Sequence, residues 1–598
     1  MELTGAQIIV EQLCAQGVTT VFGYPGGQIL PLYDELYKNA DRITHVLSAH
    51  EQGATHAADG YARVTGKPGV VIATSGPGAT NLVTGIANAY LDSVPLVAIT
   101  GNVSIPLLGK DSFQEVDIVG ITQPVVKHNF VVREIDKLAF TISEAFRIAS
   151  SGRRGPVLVD IPKSIQVESC EYADVQAVSG KDATIDADTA GEAASPAASP
   201  AASPATSDVA SPAASPATSA AASPATTPAA ATNAASIPGL EQAIEAISQC
   251  ERPFIYAGGG ILASGAEAEL LALSDKLSAP VGFSMMGLTS LPDNYMLNLG
   301  MCGMHGKYAS SVAQDECDLM IAIGVRFSDR ATGEVKAFKH NRTIIHIDID
   351  LAEIGKNVAA TINICGDAKK VLTMLLDALP EKHNVSWLER IEELKQVEGS
   401  PQNGGFTPKN IIEAVRRRHS ADTVVATDVG QHQMWTMQYY KMGNPRTLLT
   451  SGGLGTMGYG LGAAIGGCIA NDRKHTVLFT SDGSFGMNLN ELATAVSQEL
   501  PILIIILNNG VLGLVRQWQN MFYEKRYSQT TLNRKTDFPA LAKAFGAAGY
   551  RATDMQQLED ILDGLPAGMP AVVDCHIDMD EVVLPMIPPG GTVKDIIY

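Results

Sequence analysis

No apolar run in this 598-residue chain is long enough to cross a bilayer, and nowhere do lysine and arginine gather into a basic stretch. The first absence excludes a membrane-spanning helix. The second, with a formal net charge of −20, argues against nucleic acid or an anionic membrane as the main partner and leaves small molecules as the expected ones. Cysteine is scarce: the 8 residues form no CxxC pair and no zinc-type spacing, which excludes a disulfide framework or a metal knot and points to reduced thiols. The opening MELTGAQIIVEQLCAQG has acid in its first turn and apolar residues at helical spacing, unlike a signal or transit peptide. A soluble, cytoplasmic enzyme is the expectation.

What is present is enough for several cores, roughly four domains or fewer on length alone. From about Gly180 to Ser236 the chain is almost entirely Ala, Ser, Pro and Thr, with proline too frequent for a helix and no large apolar side chain to bury. This is read as a dispensable, disordered linker within 171–238. It separates residues 1–170 from a middle unit, 239–385, which a short connector, 386–400, joins to a last unit, 401–598. Continuous β-branched runs mark buried strands: Val70 to Thr74, Leu96 to Thr100 and Val157 to Ile161, then FIYAG, LMIAIG and TIIHIDID, then TVVATD, TVLFTSDG and ILIIILNN. Most of these runs give way to Gly, Asp, Asn or Ser and alternate with helical stretches. The prediction is α/β, three doubly wound parallel-sheet domains whose ligands lie beyond the carboxyl ends of the strands.

The strongest chemical signal is in the last unit. TVLFT runs into Ser481, Asp482, Gly483 and Ser484; a helix-like stretch follows; then PILIIIL ends at Asn508 and Asn509. A right-handed crossover returning to one sheet brings Asp482 and Asn509 to the same edge. A carboxylate and an amide oxygen there suit Mg²⁺, which would complete its shell with a diphosphate, water and a backbone carbonyl near Val511. Gly483 lets the backbone approach phosphates closely. Either half alone is more simply a strand ending in an Asp-Gly turn or in a polar pair. In the first unit Glu51 stands where the strand-like ITHVLSA gives way to a small-residue helix, a position that the helix dipole alone would favour.

These segments resemble the thiamine-diphosphate enzymes, whose signature is Gly-Asp-Gly followed further on by Asn-Asn; Ser481 takes the place of the first glycine. TDVGQHQMW (Thr427 to Trp435) and SGGLGTMGYGLGAA (Ser451 to Ala464) are similar to further cofactor segments of that family. The resemblance implies that Gly430, Gln431 and His432 face the diphosphate, that Gly455 and Met457 hold the aminopyrimidine, and that Tyr24, Pro77, Asn81, Gly483, Ser484 and Leu514 also contact the cofactor. It makes Glu51 the catalytic acid that promotes the ring tautomer able to take the C2 proton. The three units then become a pyrimidine-binding domain, a central FAD-binding-like domain and a diphosphate and Mg²⁺-binding domain.

FGYPGG (Phe22 to Gly27), AHEQGA (Ala49 to Ala54), TSGPGATN (Thr74 to Asn81), DSFQEVD (Asp111 to Asp117) and SGRRGPVLVDIPK (Ser151 to Lys163) narrow the likeness to the acetohydroxyacid synthases. That family joins a hydroxyethyl group from pyruvate to pyruvate or 2-oxobutanoate, in valine, leucine and isoleucine synthesis. The resemblance places Gln114 and Lys163 beside Glu51 as catalytic residues, and Gly27, Phe113, Arg330 and Trp518 against substrate. Arg330 would clamp an acceptor carboxylate with its planar fork. In the middle unit YAGGGIL, GMCGMHG, GVRFSDRATG, HIDID and the Gly366-Asp367 pair imply a structural FAD held by Arg153, Gly258, Met304, His305, Gly324, Arg326, Arg330, Asp348 and Asp367. Ser328 and Leu514 depart from the family pattern, which has aspartate and methionine there. A homodimer or dimer of dimers, with Glu51 of one subunit facing the diphosphate site of the other, and a separate small regulatory subunit are further implications. A flavin-free catabolic relative, a pyruvate oxidase or a simple decarboxylase would share much of this pattern.

Overall fold

The computed structural model describes residues 1–172, 237–397 and 405–598; the low-complexity segment lies outside them. Three six-stranded sheets, every strand parallel to its neighbours, carry the chain. In the first sheet the order is Thr44–Leu47, Thr20–Tyr24, Gly69–Ala73, Leu96–Asn102, Pro156–Pro162, His128–Val131. In the last it is Leu448–Leu449, Val424–Thr427, Thr476–Thr480, Ile502–Asn508, Ala571–His576, Ala548–Ala552. These two sheets share one topology, second strand, first, third, fourth, sixth, fifth.

The middle sheet is wound differently. Asn298–Met301, Val281–Phe283, Pro253–Ala257, Leu319–Ile323, Thr343–Asp348 and Ile362–Cys365 run third, second, first, fourth, fifth, sixth, the strand order of dinucleotide-binding folds. In each sheet the order reverses beside the first strand. At that switch neighbouring crossovers leave in opposite directions and open a crevice beyond the strand ends. The central strands are fully buried, as expected of sheets covered on both faces.

Small residues govern how the first and last sheets meet. The helix Glu51–Thr65 starts on His50, whose Nδ1 accepts from Gln52 N at 3.1 Å, and stops at the left-handed Gly66. Its buried face is Gly53, Ala54, Ala57, Ala58, Gly60 and Ala62, against the equally small face of the helix Gly460–Ala470. A Cβ on Gly466 would lie 1.8 Å from the Ala57 carbonyl oxygen, and one on Gly60 would lie 2.3 Å from that of Ala463. Backbone contact this close gives dispersion contacts that no side chain could match. It also shows that part of the glycine-rich SGGLGTMGYGLGAA stretch serves packing.

Candidate active site

In the last sheet Thr427 pairs with Phe479, and Thr480 with Ile506. Asp428 to His432, Asp482 to Ser484 and Asn509 to Val511 therefore leave the sheet along one edge, at its switch point. The helix begins at Asp482 itself, earlier than the sequence suggested. Ser481 is its N-cap, accepting from Ser484 N at 3.3 Å, so the serine at this position completes the turn. Asp428 ties neighbouring crossovers together, accepting from Thr480 Oγ1 at 2.7 Å and Gly460 N at 2.8 Å.

Asp482 is buried, its Oδ1 has no hydrogen-bond partner among the described residues, and burial pushes its carboxyl up to about 6. A buried orphan oxygen of this kind is costly unless a ligand satisfies it. Asn509 donates Nδ2 to Gln431 Oε1 at 3.1 Å, which turns its amide oxygen away from Gln431, where it could face a cation. Gln431 is held in turn, donating to Gln517 Oε1 at 3.1 Å and to the Glu581 carbonyl at 2.7 Å. Both ends of the Gln431 amide are thus engaged in orienting Asn509. His432 Nε2 is buried without a partner among the described residues, and burial lowers the imidazole to about 3, so the ring is neutral. Among the described residues no three His, Cys, Asp or Glu side chains gather as a metal-binding group. A cation here relies on one carboxylate with amide and main-chain oxygens, a hard-oxygen set suited to Mg²⁺ and able to share it with phosphates. Val511 pairs with Thr531 in a short bridge, and Leu514, Val515 and Trp518 line an adjoining groove.

The second group surrounds Glu51. Asn81 donates Nδ2 to Glu51 Oε2 at 2.9 Å, and a Cβ on Gly78 would lie 3.3 Å from Glu51 Oε1. Pro77 starts the turn that carries both. Gln114 has φ 61, and its main chain packs against Gly76. A positive φ at such a residue costs energy that the surrounding packing must offset. Lys163 donates Nζ to the Gly27 carbonyl at 3.0 Å. Tyr24 and Phe113 are exposed, Phe113 by 85%. Within one chain Glu51 makes no hydrogen bond to Asp482, Asn509 or Gln431 among the described residues; its neighbours in the last sheet are reached through Glu491, which accepts from His50 N at 2.9 Å.

The third group is a cleft at the switch point of the middle sheet, about 1600 Å³ with open solvent included. Arg153, Gly324, Arg326, Arg330, Asp348 and Asp367 line it, with Gly259, Gly260 and Glu353. Gly258 lies behind this wall: a Cβ on it would meet the Gly324 carbonyl at 2.2 Å, so its part is to let two strand ends approach. Arg153 donates to Glu353 at 2.8 Å and to Ser93 Oγ at 2.9 Å. Burial, then the nearby Arg153, lowers the Arg326 guanidinium, and burial raises Asp348 to about 6. Asp367 caps the helix Ala368–Ala378, accepting from Lys370 N at 3.2 Å. Met304 and His305 stand outside the cleft wall, on the other side of Arg330, whose Nη1 is 3.9 Å from Met304 Sδ; His305 is buried and lowered to about 4 by that burial. A cleft lined by arginines, by the half-buried Asp348 and by glycines where backbones approach has the size and chemistry of a dinucleotide site.

Gln517, Asp428, Glu353 and Glu491 were not anticipated, because each is recruited by a partner far along the chain. The Asn508 half of the Asn-Asn pair also has a role: it accepts from Gly510 N at 3.2 Å and donates to Asp574 at 2.8 Å, fixing the turn after Asn509.

Two like-wound sheets flanking a dinucleotide-type sheet, with a hard-oxygen pair at one switch point, define a thiamine pyrophosphate enzyme. Models of that family match in all three parts: the N-terminal TPP binding domain over residues 3–121, the central domain over 240–375 and the C-terminal TPP binding domain over 428–575. The chain is 42% identical over 609 residues to a probable acetolactate synthase large subunit of Methanocaldococcus jannaschii, covering 100% of this chain and 95% of that one. It is 41% identical to the acetolactate synthase isozyme 2 large subunit of Escherichia coli, covering 100% and 99%, and 38% identical to the isozyme 3 large subunit, covering 99% and 98%. The chain belongs to the acetolactate synthase large-subunit family.

Proposed function

We propose that the chain decarboxylates pyruvate and transfers the hydroxyethyl group to a second pyruvate or to 2-oxobutanoate, giving 2-acetolactate or 2-aceto-2-hydroxybutanoate for branched-chain amino-acid synthesis. The observation that carries this reading is the orphan Asp482 Oδ1 beside an Asn509 whose amide is oriented by Gln431. Asp482, Asn509 and the Val511 carbonyl would hold Mg²⁺ against the diphosphate, with Gly430 and His432 behind it. Thiamine diphosphate supplies the electron sink that decarboxylation of a 2-oxo acid requires.

The chain's own residues do the rest. Glu51 exchanges a proton with the aminopyrimidine ring, at the oxygen not taken by Asn81. Arg330 offers a charged fork to the acceptor carboxylate. Trp518 packs against the acceptor's alkyl end, and Gln114 and Lys163 meet substrate oxygens near Gly27 and Phe113. The middle cleft would hold FAD, with Arg153 and Arg326 at the diphosphate and Asp348 and Asp367 at the adenosine; it has no part in the transfer itself.

Among the described residues no hydrogen bond within one chain joins Glu51 to Asp482, Asn509 or Gln431, an arrangement that suits a homodimer or dimer of dimers whose sites take Glu51 from one subunit and Asp482 from the other. Relatives named as large subunits support a separate small regulatory subunit. Eight unpaired cysteines suit a reducing cytoplasm. Two measurements test these points. Given pyruvate with 2-oxobutanoate, the purified chain should form both acids; acetaldehyde as the main product would replace the carboligase with a simple decarboxylase. Mixing inactive Glu51→Gln and Asp482→Asn chains should restore activity if sites are shared between subunits, and an inactive mixture of exchanging chains would mean that each chain builds its own.

A further inference from the structure

Where the helix Glu51–Thr65 meets the segment from 451 to 459, charge is buried. The Asp59, Arg63 and Asp92 side chains are 0%, 8% and 0% exposed, with Arg63 Nε 2.6 Å from Asp59 and Nη2 2.8 Å from Asp92. Two carboxylates sharing one guanidinium leave the cluster net negative, and in a poorly solvated interior it needs further donors. Those donors come from the 451–459 segment. Tyr459 OH donates to Asp59 at 2.7 Å, while Gly452 N and Gly453 N donate to Asp92 at 3.0 and 2.7 Å.

Asn88 extends the cluster. Its Nδ2 donates to Asp59 at 3.2 Å, and its Oδ1 accepts from Ser451 Oγ at 2.5 Å and from Thr456 Oγ1 at 3.3 Å. Ser451 Oγ also accepts from Thr456 N at 2.9 Å. The segment is therefore fastened by buried residues, Ser451, Thr456 and Tyr459, while the stretch between Ser451 and Thr456 is exposed and Met457 is half-buried. Gly452, Gly453, Gly455 and Gly458 give this stretch more backbone freedom to lose than any other composition would.

We propose that Asn88 is a positioning residue for the reaction: through Ser451 and Thr456 it fixes the segment that presents Gly455 and Met457 to the thiamine ring. This rests on reading those two residues as cofactor contacts. With the anchors in place the glycine-rich segment is ordered on folding; without them the ordering is charged against cofactor binding, so affinity and ring geometry both suffer.

The test uses Ser451→Ala, Asn88→Ala and a control, Thr100→Val, which removes a buried hydroxyl that donates to Asp160 at 2.7 Å in the same domain. Calorimetric titration with thiamine diphosphate in Mg²⁺, deuterium exchange of the bound cofactor's C2 proton and the melting temperature of the cofactor-free chain are measured together. Ser451→Ala and Asn88→Ala should each weaken binding about tenfold, near 1.4 kcal/mol, and slow exchange by a similar factor. Thr100→Val should lower the melting temperature and leave both readouts at the wild-type value. A folded Ser451→Ala with wild-type affinity and exchange would overturn the proposal, as would a Thr100→Val that impairs both equally. Should Asn88→Ala fail to fold, Ser451→Ala, which removes one oxygen, decides. A wild-type chain that binds no thiamine diphosphate would instead overturn the cofactor reading underneath.

Discussion

The guanidinium of Arg330 lies over the indole of Trp518, 5.2 Å from the ring centroid. The contact joins the turn after the strand Leu319–Ile323 to the helix Gly513–Phe522, and so joins the middle domain to the last. A cation over an indole face is held in plane while its N–H groups stay available, and the Arg330 side chain is 60% exposed. The two residues proposed to hold acceptor carboxylate and acceptor alkyl group thus orient each other.

Replacing either should alter substrate handling more than folding. Arg330→Lys keeps the charge but loses the fork and the stacking, and should raise the KM for 2-oxo acid about tenfold with a smaller change in kcat. Trp518→Leu should reduce the preference for 2-oxobutanoate over pyruvate by an amount worth about 1–3 kcal/mol. Competition between the two acids, scored by product ratio, checks both; an unchanged ratio in Trp518→Leu removes that residue from the acceptor site.

Glu51→Gln should bind thiamine diphosphate and Mg²⁺ normally and lose activity by about 10²–10⁴-fold, the usual worth of a positioned acid or base. The amide keeps the bond from Asn81 only if it turns its oxygen toward it, so the fold is preserved while the exchangeable proton is lost. Full carboligase activity in this variant, with cofactor bound, defeats the proposed role.

Much of the fold was readable in the sequence because its central strands are long β-branched runs such as Ile502–Asn508. In the three six-stranded sheets the strands not marked are the edges Leu448–Leu449, His128–Val131, Asn298–Met301, Ile362–Cys365 and Ala548–Ala552 and the internal Thr20–Tyr24, Val281–Phe283 and Ala571–His576, which are short or broken by glycine or polar residues and so show no continuous apolar run. The difference in winding between the middle sheet and the other two was equally hidden, since strand order depends on long-range pairing. Asp482 and Asn509 could be found as strand ends. The bonds by which Gln431 orients Asn509 could not be read, because its partners Asn509 and Gln517 lie 78 and 86 residues away. Glu353 was invisible for the same reason, meeting Arg153 across 200 residues.

The contact between the helices Glu51–Thr65 and Gly460–Ala470 sets how the first and last sheets pack, so Gly466→Ala should be costly. Its Cβ would meet main chain, which cannot step aside, and overpacking of this kind costs about 1–3 kcal/mol. A melting curve of the cofactor-free chain measures it; a melting temperature equal to wild type would show that the two helices are looser than described.

Asp348 makes a pH prediction. Burial raises its carboxyl from the ordinary 3.8 to about 6, so the folded chain holds this proton more tightly than the unfolded one. Stability from this group is therefore full at low pH and lost as pH rises from 3.8 to about 6. Flavin binding runs the other way, because an ionised carboxylate is the better acceptor for ribose hydroxyls. FAD affinity, followed by flavin fluorescence, should rise as pH climbs through about 6 and lose that step in Asp348→Asn. A variant with the wild-type pH profile would assign the step elsewhere.

The most direct test of the central claim is product formation from pyruvate by the purified chain in Mg²⁺ and FAD, with thiamine diphosphate present or omitted. Acetolactate that forms with thiamine diphosphate and vanishes without it is the result predicted. Acetolactate formed equally well without thiamine diphosphate, or none formed with Mg²⁺, FAD and thiamine diphosphate all bound, would contradict it.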